Sequence, residues 1–139
     1  MKYLKSGNTY MVRNDLGEDI IENLKNLCEK ENIRLGRVEA IGATDQAVIG
    51  VYDLVKKEYH AEKISEFMEI TSLNGNITGM GGKPYIHLHA TLADQHHAVH
   101  GGHVIEMRVG ATCEMFVTVP DGAVDRQKDE GLGINLWSF

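Results

Sequence analysis

Tyr85-Ile86-His87-Leu88-His89-Ala90-Thr91-Leu92 decides the fold. Its two-residue period puts Tyr85, His87, His89 and Thr91 on one face and Ile86, Leu88, Ala90 and Leu92 on the other, the pattern of a half-buried strand. The stretch on its C-terminal side, Ala93 to Gly102, is polar and glycine-ended, and His103 opens another apolar run, so a hairpin with a long loop is expected. Symmetric closure sets His89 opposite or nearly opposite His103. On the N-terminal side, Gly79-Met80-Gly81-Gly82-Lys83-Pro84 turns the run Phe67 to Thr78 back onto the same strand. That closure brings Asn76 near His87 and Asn74 near His89.

The same kind of segment recurs through most of the chain. Val38 to Ile41, Ala47 to Leu54, Tyr59 to Ile64, Phe67 to Leu73, Tyr85 to Leu92, His103 to Val109 and Ala111 to Val119 are short runs rich in valine, isoleucine and threonine, broken by glycine. Pro84 precedes a strand and Pro120 follows one, where a missing donor is tolerated. One helix is expected. Asp15-Leu16-Gly17-Glu18 has the form of a capping box, and Ile20, Ile21, Leu24, Leu27 and Cys28 make a single apolar stripe. The polar tail from Asp125 ends in Ile134, Leu136, Trp137 and Phe139, which should pack back on the body.

With 139 residues, 42% of them apolar and 24% charged, the chain has material for one core and no linker at which to divide it. The reading is a single α/β (α+β) domain, residues 1–139, with a mostly antiparallel mixed sheet and one N-terminal helix. Fourteen basic against twenty acidic residues give a net charge of −6, which opposes a general grip on phosphate backbones. No apolar stretch has the length of a signal core or a membrane span, so a cytoplasmic setting without membrane contact is expected. Cys28 and Cys113 lie far apart in apolar patterns and read as buried thiols.

His87 and His89 stand side by side on one strand face, and His103 faces them across the hairpin. Three imidazoles at one point suit a borderline divalent ion, zinc first, with a fourth position left for water or a ligand. A His-x-His pair alone reads first as an exposed polar strand face; His103 is what lifts it above that. Asn74 and Asn76 either support the ligands or line a polar pocket with Tyr85 and Thr91, and Asn74-Gly75-Asn76 is read with equal weight as a bulge. Glu114 lies on the polar parity of its strand, first as an exposed glutamate, otherwise as a general base or a further ligand at the metal. His96, His97 and His100 read first as solvated loop residues and second as an accessory metal site, and His60 has no evident partner.

Leu73-Asn74-Gly75-Asn76-Ile77, the Pro84 to Leu92 strand, Ala93-Asp94, Gly101-Gly102-His103 and Ala111-Thr112-Cys113-Glu114 resemble, in order and spacing, the plant and prokaryote conserved (PPC) domain. Leu16-Gly17-Glu18, the Ile41-Gly42-Ala43 turn and the stretch from Asp125-Arg126 to Gly131-Leu132 extend the resemblance over nearly the whole chain. It implies a compact sheet domain assembling as a homotrimer, and metal ligands at His87, His89 and His103. Plant relatives couple the domain to an AT-hook, and prokaryotic ones are expected to bind DNA. Here Leu35-Gly36-Arg37 lacks the second arginine and the proline of a hook. Three functions follow: a trimeric metal-binding module for a small ligand or partner, a metal-dependent hydrolase with Glu114 or an asparagine orienting water, and a DNA-associated regulator.

Overall fold

A computed structural model describes all residues, 1–139. In chain order the elements are β1 (Lys2–Ser6), β2 (Thr9–Asp15), α1 (Ile20–Glu31), β3 (Gly36–Asp53), β4 (Glu58–Ile64), β5 (Met68–Met80), β6 (Lys83–Ala93), β7 (Val99–Thr118), β8 (Asp125–Asp129) and β9 (Ile134–Ser138). The strands form one sheet in the order β1-β2-β7-β3-β5-β8-β9, with β4 paired to β3 and β6 paired to both β5 and β7. All pairings are antiparallel except a single parallel contact between β5 and β8, so the sheet is mixed.

Two long strands shape it. The runs expected as separate strands at Val38 to Ile41 and Ala47 to Leu54 are one strand, β3, and His103 to Val109 joins Ala111 to Val119 in β7. The glycines read as breaks are bends instead. The β3–β7 register slips between Gly42 and Thr44, Thr44 and Gln46, and Val48 and Ile49, each slip curving the pair without ending it. Curvature lets β6 bridge β5 and β7, closing a ring of β3, β5, β6 and β7.

The helix forms where its apolar stripe predicts, with Ile20, Leu24, Leu27 and Cys28 buried against the sheet at β6 and β7. Burying each leucine contributes roughly 1.5–3 kcal/mol. Its cap differs from expectation. Asp19, not Asp15, accepts from the Glu22 N–H at 2.8 Å. The Asp15–Glu18 reciprocity exists, with Glu18 Oε2 accepting from the Asp15 N–H at 2.8 Å, but it fastens the turn ahead of the helix. Asn32 ends the helix in the left-handed region.

The inner sheet face and α1 enclose a core of 25 residues that includes Val38, Leu73, Leu88, Leu92, Met107 and Val117. Leu88, Ala90 and Leu92 are buried as their parity requires. The outer face carries the other parity. Leu4, Met11, Phe116, Glu39, Asn74 and His89 are successive cross-strand partners in one lateral row. The tail folds back only in part: Arg126 is buried, whereas Trp137 and Phe139 are 47% and 99% exposed. No helix is long and apolar enough to cross a membrane.

Candidate metal centre

Both closures expected from the sequence hold. His89 pairs with His103, Asn74 with His89, and Asn76 with His87. Between Met80 and Lys83 the turn is Gly81-Gly82, both at positive φ, the conformation of a tight hairpin that glycine adopts without strain. The loop between β6 and β7 is shorter than expected, because pairing continues to Ala93 opposite Val99. Asp94 caps that loop by accepting from the His96 and Ala98 N–H groups at 2.8 and 2.9 Å.

Register thereby brings three imidazoles to one place. One ring nitrogen from each of His87, His89 and His103 lies within 4.8 Å of the others. Ring centroids are 5.1 to 5.5 Å apart. Tyr59 stacks on His103 at 4.9 Å between centroids and 23° between planes, fixing that ring. The residues fit a divalent ion. The donors are all imidazoles, and His103 Nδ1 is buried without a hydrogen-bond partner, a cost that a ligand role or a bound donor would remove.

Burial sets the electrostatics. The His87 pKa is lowered to about 4, chiefly by desolvation and then by the neighbouring His103, Arg126 and His89. That of His103 is lowered by burial and by His89. Both rings are therefore neutral near pH 7, the form that donates a lone pair to a metal. The metal-free fold acquires a pH dependence with a definite sign. Below 6.5 an unfolded chain protonates His87, while the folded chain resists until about 4. The contribution of His87 to stability is complete above about 6.5, falls as pH drops toward 4, and levels off below. Urea unfolding of metal-free protein should show the midpoint falling across this window, and His87→Gln should flatten the slope. Identical slopes for the two proteins would contradict the assignment.

Beside the triad lies a cleft of about 320 Å³, lined also by Tyr52, Tyr59, Tyr85, Arg126 and Asn135. Arg126 comes from β8 and is 8% exposed. Its Nε donates to Thr78 Oγ1 at 2.9 Å, Nη1 to the Asn135 carbonyl at 2.7 Å, and Nη2 to Asn76 Oδ1 at 2.8 Å. Nη2 also stands 3.3 Å from His87 Nδ1. The Tyr85 ring covers the guanidinium at 4.6 Å, and the Tyr85 hydroxyl accepts from Asn135 Nδ2 at 3.3 Å.

The remaining expected site residues scatter. Asn76 reaches His87 through Arg126. Asn74 donates to Ser72 Oγ and lines a separate outer groove with Glu39, Ile41, Glu114 and Phe116. Glu114 is thus on the exposed parity expected of it but outside the histidine cleft, at the far end of β7 from His103, and cannot serve as a base there. Thr91 does not line the cleft; its carbonyl accepts from Thr71 Oγ1 at 2.9 Å. The bulge falls between Ile70 and Ser72, and Gly75 pairs regularly with Leu88. His100 pairs with Asp94 at 3.3 Å and His60 with Asp53 at 3.2 Å. Sequence reasoning missed Arg126, Tyr52, Tyr59 and Asn135. For the tyrosines a signal existed, since closing the β3–β4 hairpin pairs Tyr52 with Tyr59.

The chain is 36% identical to a metal-containing protein of Archaeoglobus fulgidus, with a TM-score of 0.89 over 97% of this chain and 96% of that one. It is 29% identical to a plant- and prokaryote-conserved protein of Pyrococcus horikoshii, with a TM-score of 0.88 over 99% and 95%. A candidate DNA-binding protein of Bacteroides thetaiotaomicron is 28% identical, with a TM-score of 0.96 over 99% and 96%. A stretch of the bifunctional protein GlmU of a Synechococcus strain is 29% identical over 132 residues; the match takes in 89% of this chain and spans 19% of that curated relative's length. The family model for the Plants and Prokaryotes Conserved (PCC) domain matches residues 1–120, and the chain belongs to that family.

Proposed function

We propose that the chain is a metal-binding module in which His87, His89 and His103 hold one divalent ion, zinc by preference, beside a cleft that takes a small ligand. One observation carries this reading: three imidazoles from two paired strands converge in a half-buried cleft, one with an orphaned ring nitrogen. The metal-containing relative from Archaeoglobus supports it. A bound ion of this kind supplies a Lewis-acidic position for an anionic or carbonyl oxygen. Tyr59 holds the His103 ring, while Asn76 and Thr78 anchor Arg126 at the cleft wall.

Tag-free protein should carry about one zinc per chain by elemental analysis and release it on acidification toward about pH 4, where the folded chain protonates His87, because ligating imidazoles must be neutral. Substoichiometric metal after zinc loading at pH 7.5 would contradict the proposal. No carboxylate lines the cleft, so no hydrolytic step is assigned. The DNA reading has the description of the Bacteroides relative behind it, against a net charge of −6 here.

Assembly as a homotrimer completes the proposal, in a reducing cytoplasmic setting that suits the free thiols Cys28 and Cys113. The outer face leaves Leu4, Ile41 and Phe116 at 66%, 62% and 55% exposure, apolar area that a second copy would cover. Sedimentation should give three times the chain mass, and Ile41→Asp with Phe116→Asp should give monomers. A wild-type monomer at micromolar concentration would contradict it.

A further inference from the structure

Arg126 is a buried cation without a counter-ion. It is 8% exposed, its acceptors are the neutral Thr78 hydroxyl, Asn135 carbonyl, Asn76 amide oxygen and His87 Nδ1, and it forms no ion pair. None of the side chains lining the cleft is acidic. A buried guanidinium is ordinarily paired or hydrogen-bonded to a carboxylate, because an uncompensated charge away from water is costly. A divalent ion on the three histidines would add to the positive charge of a cleft that has nothing negative in it. The missing anion must come from outside.

Donor accounting says where it would bind. A guanidinium has five N–H groups. Nε–H is used on Thr78, one Nη1–H on Asn135, and the two Nη2–H groups on Asn76 and His87, leaving one Nη1–H without a protein acceptor. A neutral imidazole has a single lone pair in its plane. If His87 spends that pair on a metal, through either nitrogen, the Nη2–H directed at it loses its acceptor as well. Loading the triad therefore leaves Arg126 with one unused N–H on each terminal nitrogen, two charge-assisted donors available to the oxygens of an anion. Tyr59, stacked on His103, and Tyr85, over Arg126, also line the cleft and supply aromatic surface there.

We propose that the cleft recognises a small organic acid, its carboxylate held by Arg126 beside the three-histidine centre and its apolar body lying against Tyr59 and Tyr85. This rests on the metal-binding reading of the triad and names the ligand class for it. Anion and metal favour each other's binding, since the ion releases the Arg126 donor and the acid neutralises the charge both leave behind.

The test uses the full chain, loaded with zinc, and benzoate as probe, followed by calorimetry. Zinc content is measured first, so failure of the metal reading shows before any acid is added. The expected result is saturable benzoate binding to zinc-loaded wild type, weaker binding to the metal-free chain, and a loss of at least about tenfold in both Arg126→Met and Arg126→Lys, each loaded with zinc and compared at equal metal occupancy. The lysine variant keeps the charge and removes the fork, and covers the case in which the methionine variant fails to fold. Four results overturn the proposal: no benzoate binding by zinc-loaded wild type, wild-type affinity in Arg126→Lys, zinc lost from both variants, or inorganic phosphate binding more tightly than benzoate.

Discussion

His103→Ala protein, loaded with zinc and dialysed, should retain almost none of the metal that wild type holds, and His87→Ala and His89→Ala should behave alike. The magnitude follows from ligand count. Disturbing a partner of a zinc ligand already costs roughly 10–100-fold in affinity, so removing one of three imidazoles should cost about 100-fold or more. The effect should be confined to these positions. His96, His97 and His100 sit in or beside the β6–β7 loop, where His100 is engaged with Asp94, and alanine at any of the three should leave the zinc content at the wild-type level. Circular dichroism distinguishes lost ligation from lost fold, because His89 is exposed and His103 only half-buried, and neither belongs to the core cluster.

Gly75→Ala should be the most damaging small substitution in the chain. A Cβ built at Gly75 would lie 1.9 Å from the His87 carbonyl oxygen and 2.8 Å from Leu88 Cδ2. The first contact is with backbone, which no rotamer change relieves. Strands β5 and β6 would have to part at the point where Asn74 and Asn76 pair with His89 and His87. The expected loss is about 3 kcal/mol or more, at the upper end for an overpacked site, read as a lowered urea midpoint. Zinc content should fall with it, since the same movement draws His87 and His89 away from His103. Asn74→Ala, adjacent but exposed, should change stability by under about 0.5 kcal/mol. A Gly75→Ala protein of wild-type stability and zinc content would show that the strand spacing there is not what sets the site.

The hairpins that bring the three histidines together were legible because antiparallel pairing about a turn has a constant register, so two turn positions are enough to set His89 against His103 and Asn76 against His87. The parity of β6 fared equally well, as Leu88 and Leu92 are fully buried while His89 is exposed. What failed were questions that periodicity does not address. Gly42 and Gly110 carry the same local signal whether a strand stops or bends, and here the strands bend. Parity correctly faces Glu114 outward but cannot say which stretch of a curved sheet it faces from. Arg126 was hidden in a charged tail. Its burial depends on β8 docking at Gly79 by a single parallel pairing, a contact between distant segments for which the local residues give no sign.

The most direct test of the central claim is anomalous diffraction at the zinc edge from crystals of the zinc-loaded wild-type chain. The account predicts one peak per chain within bonding distance, about 2.0–2.1 Å, of a ring nitrogen of each of His87, His89 and His103. A peak in the Asp94–His100 loop instead, or none between β6 and β7, would contradict it.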